Sequence, residues 1–66
     1  MRVTVNAEPV EIPAGSTVAQ LLEHLGRARE LCAVEVNQAL APKRERDAIE
    51  LREGDAVEIV TLVGGG

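Results

Sequence analysis

Apolar residues alternate with polar ones in two short runs near the start of the chain. In the stretch RVTVN, Val3 and Val5 alternate with polar neighbours, and Val10 and Ile12 resume the pattern after the polar sequence NAEP. A period of two residues is typical of a strand that buries one face. Two such runs joined by a short polar turn predict an antiparallel hairpin.

The apolar spacing then changes from that of a strand to that of a helix. The sequence PAG at 13–15 interrupts the alternation, and Ser16 or Thr17 is suited to cap a helix. Gly26 is expected to end it. The apolar positions between them follow at i, i+3, i+4 and i+7, which predicts one helical stripe facing the sheet: Val18, Leu21, Leu22 and Leu25.

The middle of the chain predicts two more strands and a charged connection. Residues 32–37, CAVEVN, alternate again, and Leu40 lies in a short edge strand that Pro42 ends. Residues 43–51, KRERDAIEL, are rich in charge and predict a surface connection with at most one helical turn. Gly54 is expected to supply a positive φ in the turn REGD.

The last strand, predicted over 56–63, is apolar on both faces. Val57 and Ile59 continue the inward face, whereas Val60 and Leu62 alternate with them and point outward. An apolar pattern on both sides is typical of a central strand, or of a strand whose outer face is covered by a partner.

The element order is strand, strand, helix, strand, short strand, strand. One helix on one face of a mixed sheet of four to five strands is a two-layer α+β fold. This order is that of the β-grasp, the ubiquitin-like fold. We expect a single domain over residues 1–63, followed by a flexible glycine tail over 64–66.

Composition narrows the class of protein further. The chain has 66 residues, of which 45% are apolar, and it contains no Phe, Tyr or Trp. A chain of this length forms one domain, whose core must be aliphatic. Without aromatic side chains to stack on bases, and with a net charge of −4, the chain is not expected to bind nucleic acid.

The cellular context follows from cysteine content and hydropathy. Cys32 is the only cysteine, so no disulfide forms within the chain, and a small buried apolar role is expected for it. His24 stands alone on the polar side of the helix, so neither a metal site nor acid–base chemistry is predicted. No apolar run approaches the roughly 20 residues that span a bilayer, and the start resembles no signal peptide. The predicted location is the cytoplasm, without a membrane partner.

Three consecutive glycines, Gly64, Gly65 and Gly66, follow the last strand. Glycine loses more backbone freedom on ordering than any other residue, and chain ends are commonly loose. A segment without side chains can also enter a narrow channel, and three extended residues reach about 10 Å. The tail is therefore either an inert end or a device that presents the carboxylate of Gly66 to a partner.

A set of residues occurs in the same order in one known protein family: Asn37, Pro42 with Lys43 after it, Gly54-Asp55, Val57-Glu58-Ile59 and Gly65-Gly66. The upstream stretch PAGSTVAQLLEHL is similar to that family's turn and first helix. Arg46 stands where many members have Trp, and Lys43 where Arg is usual, which concerns local packing and partner preference. Taken together, these features resemble the ThiS family, the sulfur carrier proteins of thiamin thiazole synthesis, over the whole length of the chain.

The resemblance implies chemistry at the last residue. In this family an enzyme of the ubiquitin-activating type uses ATP to adenylate the terminal carboxylate, which becomes a thiocarboxylate that donates sulfur. Gly66 is then the modified residue, and Gly64 and Gly65 are the tail that enters partner active sites. The protein is a cosubstrate rather than an enzyme and binds no cofactor. The implied partners are the adenylating enzyme, a cysteine desulfurase or other sulfur donor, and thiazole synthase.

Val60 and Leu62, just before the tail, are the candidates for docking these partners. The acidic residues Glu53, Asp55 and Glu58 around the last strand are weaker candidates for contacts with a basic adenylating site. Three alternatives stay open: the small subunit of molybdopterin synthase, a ubiquitin-like protein modifier, and a β-grasp binding module with an inert tail. The molybdopterin subunit usually is longer and has aromatic core residues.

Overall fold

The predicted elements are all present in the computed structural model, which describes residues 1–62. Their order is strand, strand, helix, strand, short strand, a single 3₁₀ turn and a last strand, as the sequence predicts. Their bounds are β1 Arg2–Val5, β2 Glu8–Glu11, α1 Val18–His24, β3 Cys32–Val36, β4 Ala39–Leu40, the 3₁₀ turn Lys43–Glu45, and β5 Ala56–Thr61.

The five strands form one mixed sheet in the order β2-β1-β5-β3-β4. β1 is parallel to β5, whereas the pairs β1–β2, β3–β5 and β3–β4 are antiparallel. The last strand is central and lies beside the first, as its apolar pattern on both faces predicts. With one helix on one face of the sheet, the predicted β-grasp fold is confirmed.

An aliphatic core lies between α1 and the sheet. Val18, Leu21 and Leu22 form the buried face of α1, and Leu25 at its end is half-buried. Burying a Val or Leu side chain contributes about 1.5–3 kcal/mol before conformational entropy is subtracted. The remaining buried apolar residues come from the strands and loops: Val3, Val5, Ile12, Cys32, Val34, Ala41, Leu51, Val57 and Ile59.

The ends of α1 are set by the residues that the sequence singles out. The Thr17 hydroxyl accepts a hydrogen bond from the Gln20 N–H at 3.2 Å, and the Gln20 side chain accepts one from the Thr17 N–H at 2.9 Å. This reciprocal arrangement is a capping box. Ser16 is instead buried and donates to the carbonyl of Pro13 at 2.6 Å. Gly26, with φ +72°, follows the helix as predicted.

The charged connection over 43–51 is less exposed than its sequence suggests. Leu51 is buried, and the side chain of Arg46 is also buried, with 8% of its residue surface exposed. Arg46 Nη2 donates to the carbonyl oxygen of Cys32 at 2.6 Å. β4 pairs only with the far end of β3, so it supplies no partner to Cys32. The guanidinium of Arg46 therefore extends hydrogen bonding along the edge of β3 where β4 is missing.

Candidate functional site

The candidate site begins where β5 ends. The N–H of Leu62 donates to the carbonyl of Leu31 at 2.9 Å, so residue 62 is still held against the start of β3. Gly64, Gly65 and Gly66, the predicted tail and modified residue, lie outside the described residues, as does the predicted domain boundary after residue 63. Their roles stay predictions that rest on the sequence.

The outer face of the sheet is the face that α1 does not cover. β5 alternates across it, with Val57 and Ile59 buried beneath the helix and Val60 and Leu62 exposed on the outer side. Val60 is 60% exposed and Leu62 46% exposed. The predicted outward orientation of both residues is confirmed.

Two further exposed apolar residues belong to the same face, and the sequence interpretation did not assign them to it. Leu40 of β4 is opposite Glu35 of β3 in the sheet register, and Leu31 is beside Leu62. Within residues 1–62 these two, with Val60 and Leu62, are all of the large apolar side chains that are exposed. We call Leu31, Leu40, Val60 and Leu62 the outer patch. Grouped exposed apolar residues mark binding surfaces more often than scattered ones do.

The three acidic residues around the last strand have different surroundings. Glu53 accepts a hydrogen bond from the N–H of Arg2 at 2.9 Å, and Asp55 accepts one from the side chain of Asn37 at 3.0 Å. These two carboxylates hold turns of the fold. Glu58 is exposed on the outer face and has no side-chain hydrogen bond or ion pair within residues 1–62. Of the three, only Glu58 is available to a partner on that face.

A side-chain network fixes the end of β5 from the helix side. Arg27 Nη2 and Glu30 Oε1 are 2.6 Å apart, the Thr61 hydroxyl donates to Glu30 at 2.7 Å, and Arg27 donates to the Thr61 hydroxyl at 2.9 Å. The hydrogen bonds from Arg27 and then from Thr61 lower the pKa of Glu30 below its usual value of 4.5. The carboxylate thus stays ionised at neutral pH and holds the turn after α1 to the last residue of β5.

The other candidate residues have unremarkable surroundings. Cys32 is 6% exposed and packs in the core, which confirms the predicted packing role. His24 is exposed and lines a shallow concave region of about 500 Å³ beside α1. No three His, Cys, Asp or Glu side chains in the described part of the chain are grouped to hold a metal ion. Over residues 1–62, no helix has the length and hydropathy to cross a membrane.

Comparison with known proteins gives consistent matches over the whole chain. The model of the ThiS family matches residues 3–66. The chain is 41% identical over all of its residues to a thiazole synthase of Magnetococcus marinus and 27% identical to the sulfur carrier protein ThiS of Escherichia coli. It covers the whole of the latter, but spans 20% of the length of the thiazole synthases that it matches.

The fold also has a close counterpart among solved structures. The crystal structure of the thiamine biosynthesis protein ThiS from Geobacter metallireducens superposes on this chain with a TM-score of 0.85. The two sequences are 33% identical, and each chain is covered completely by the other. The similarity therefore includes every element described above and is not restricted to the helix or to part of the sheet.

Proposed function

The chain belongs to the ThiS family of sulfur carriers for thiamin biosynthesis, and on that premise we propose that Gly66 carries the sulfur as a C-terminal thiocarboxylate. The working protein in this proposal has Gly66 as its last residue. The sulfur is destined for the thiazole ring of thiamin.

The chemistry explains why a partner enzyme and ATP are needed. A carboxylate is a poor electrophile because its charge is shared by both oxygens. Attack of a carboxylate oxygen of Gly66 on the α-phosphorus of ATP releases pyrophosphate and forms an acyl-adenylate, from which AMP is a good leaving group. The outer sulfur of a donor persulfide then attacks the carbonyl carbon and displaces AMP, which forms an acyl disulfide. A thiol reduces that disulfide, leaving the thiocarboxylate on Gly66 and a disulfide on the donor side. The carrier supplies only the carboxylate, and the adenylating enzyme supplies the nucleotide site.

The observation that carries the proposal is the glycine segment that follows Leu62, the last residue of the outer patch in the chain. β5 leads through Leu62, which is still held to β3, into a segment that ends in three glycines. A glycine segment fits a channel too narrow for side chains and adopts backbone angles closed to other residues. An exposed apolar face beside that segment gives a partner enzyme a surface to hold while the tail is in its active site.

The proposed roles of the partners follow from this chemistry. The protein acts as a cosubstrate with no turnover of its own and binds no cofactor or metal. An adenylating enzyme of the ubiquitin-activating type, a sulfur donor such as a cysteine desulfurase, and thiazole synthase act on it in turn in the cytoplasm. The similarity to a segment of thiazole synthases supports the thiamin role over that of a molybdopterin synthase subunit.

The thiamin role is tested by reconstitution with a thiazole synthase. We expect the sulfur-loaded protein to give thiazole in a single turnover, with about one thiazole for each carrier consumed, and the unloaded protein to give none. The matched reaction replaces thiazole synthase by the large subunit of molybdopterin synthase. Sulfur transfer in that reaction alone would identify the molybdopterin role, and covalent ladders with lysines of other proteins would identify a modifier.

A further inference from the structure

Two carboxylates face each other within the outer face of the sheet. Glu35 of β3 and Glu58 of β5 are directly opposite in the register, and both are exposed. Side chains in such cross-strand positions have Cβ atoms about 4.5–5.5 Å apart. Ala33 and Val60 form the next pair on the same face, and Leu40 is opposite Glu35 on the other side. The two acids therefore lie among the residues of the outer patch.

The acidic pair works against the stability of the isolated sheet. Like charges directly opposite each other destabilise an antiparallel pair of strands. The ion pairs within residues 1–62 join other residues, namely Arg2 with Glu11, Arg27 with Glu30, and Arg44 with Glu45. Neither Glu35 nor Glu58 has a basic side chain at ion-pair distance within residues 1–62, so the two facing carboxylates are left without a direct counter-charge there.

A partner that covers the outer patch must also cover these two carboxylates. Removing water from an ionised carboxylate is strongly unfavourable unless an opposite charge and hydrogen bonds replace the water. A guanidinium is suited to this position, because it is planar, weakly hydrated and able to donate to two carboxylates at once. The chemistry of the face thus selects a partner surface that combines apolar side chains with an arginine.

We propose that Glu35 and Glu58, together with the outer patch, dock an apolar surface of the adenylating enzyme that carries an arginine between the two carboxylates. This inference rests on the proposed function, because residues 63–66 must reach that enzyme's nucleotide site. Four extended residues span at most about 13–14 Å. The nucleotide site of an enzyme that holds Gly66 must therefore lie within that distance of Leu62. Leu62 is the member of the outer patch nearest to the tail.

A second copy of this chain does not fit the same face. A two-fold interface places the same patch of both protomers together. Two outer faces packed in this way would bring four carboxylates, from two copies of Glu35 and Glu58, into one desolvated contact. The charge pattern therefore favours a basic partner over self-association.

The test compares Glu35→Gln, Glu58→Gln and the double variant with the wild-type protein in binding to the adenylating enzyme of the same organism. Titration calorimetry at low and high salt gives the Kd. We expect the double variant to bind on the order of 30-fold more weakly, because it loses charge pairs that are buried in the complex. Its melting temperature should equal or exceed that of the wild type, since the repulsion is removed. Glu23→Gln on the exposed side of α1 is the matched control and should change neither value.

Two results would overturn the inference. One is a double variant whose Kd equals that of the wild type at both salt concentrations. The other is self-association of the wild-type protein in sedimentation that tightens in the double variant, because a second copy would then be the occupant. Sulfur loading of the wild-type protein is measured alongside. If the wild-type protein is loaded normally and the double variant has an unchanged Kd, the docking role of the acidic pair is rejected and the proposed function stands. If the wild-type protein is not loaded, the proposed function is rejected.

Discussion

A protein that lacks Gly66 loses sulfur loading and keeps its folding transition. The shortened chain ends on Gly65, so its carboxylate is about 3.3–3.6 Å short of the position that Gly66 reaches. A misplacement of about 1 Å at a reacting centre is enough to lower a rate by about a hundredfold. We therefore expect thiocarboxylate formation to fall by more than a hundredfold, measured as the mass of the C-terminal peptide after reaction with the adenylating enzyme.

The melting temperature of the shortened protein should be unchanged, because the core is built from residues 3–59. Gly66→Ala keeps the chain length and the carboxylate but adds a methyl group. It therefore distinguishes the effect of tail length from the effect of a side chain at the last position. Loading of this variant should lie between that of the wild type and that of the deletion. A fall of more than about 5 °C in the deletion, which corresponds to roughly 1 kcal/mol in a domain of this size, would show that the tail is structural.

Leu62→Asp weakens docking to the adenylating enzyme much more than it weakens folding. Leu62 is 46% exposed, so the folded protein loses only part of a leucine's burial, about 1 kcal/mol. In the complex the same change removes an apolar contact at the root of the tail and places a charge beside Leu31, where the covered surface is apolar. We expect a Kd at least about a hundredfold higher, since residues at the centre of an interface contribute about 2–4 kcal/mol or more.

Ala14→Asp is the matched control for that experiment. It adds the same charge at an exposed loop position between β2 and α1. Thermal melts and titration calorimetry on both variants separate loss of folding from loss of docking. If Leu62→Asp bound the enzyme with the affinity of Ala14→Asp, the outer patch would not be the docking surface.

The fold could be predicted from the sequence because local patterns specify most of it. The alternation around Val3 and Val5, the helical stripe that begins at Val18, and the two-sided apolar pattern of β5 each depend on residues close together in the chain. The sequence interpretation left open whether Ser16 or Thr17 caps α1, although the spacing of Thr17 and Gln20 is the sequence signature of a capping box and favours Thr17. The Gln20 side chain, which completes a capping box with Thr17, decides between them.

The outer patch could be predicted only in part, because its membership depends on register. Alternation alone indicates that Val60 and Leu62 point outward. It does not bring Leu31 beside Leu62, or Leu40 opposite Glu35, since these neighbours come from different strands. The same limit applies to Glu35 and Glu58, which lie 23 positions apart in the sequence and meet only through the pairing of β3 with β5.

Arg46 shows how tertiary context overrides a local pattern. It lies in the charged run KRERD, where solvent exposure is the ordinary expectation. Its burial follows from the short β4, which leaves the carbonyl of Cys32 without a strand partner. The resemblance gave one signal for packing at the position of Arg46, because many members of the family have Trp there. Element boundaries are the least reliable part of a sequence prediction, so the length of β4 and the need for a donor at that carbonyl were not predicted.

The central claim is tested most directly by the intact mass of the purified protein after incubation with Mg-ATP, a sulfur source and the adenylating enzyme of its host. The proposal predicts the mass change of one oxygen replaced by sulfur, located in the C-terminal peptide that contains Gly66. An unchanged mass, with the same enzyme preparation active on another carrier, would contradict it and leave a β-grasp binding module with an inert tail.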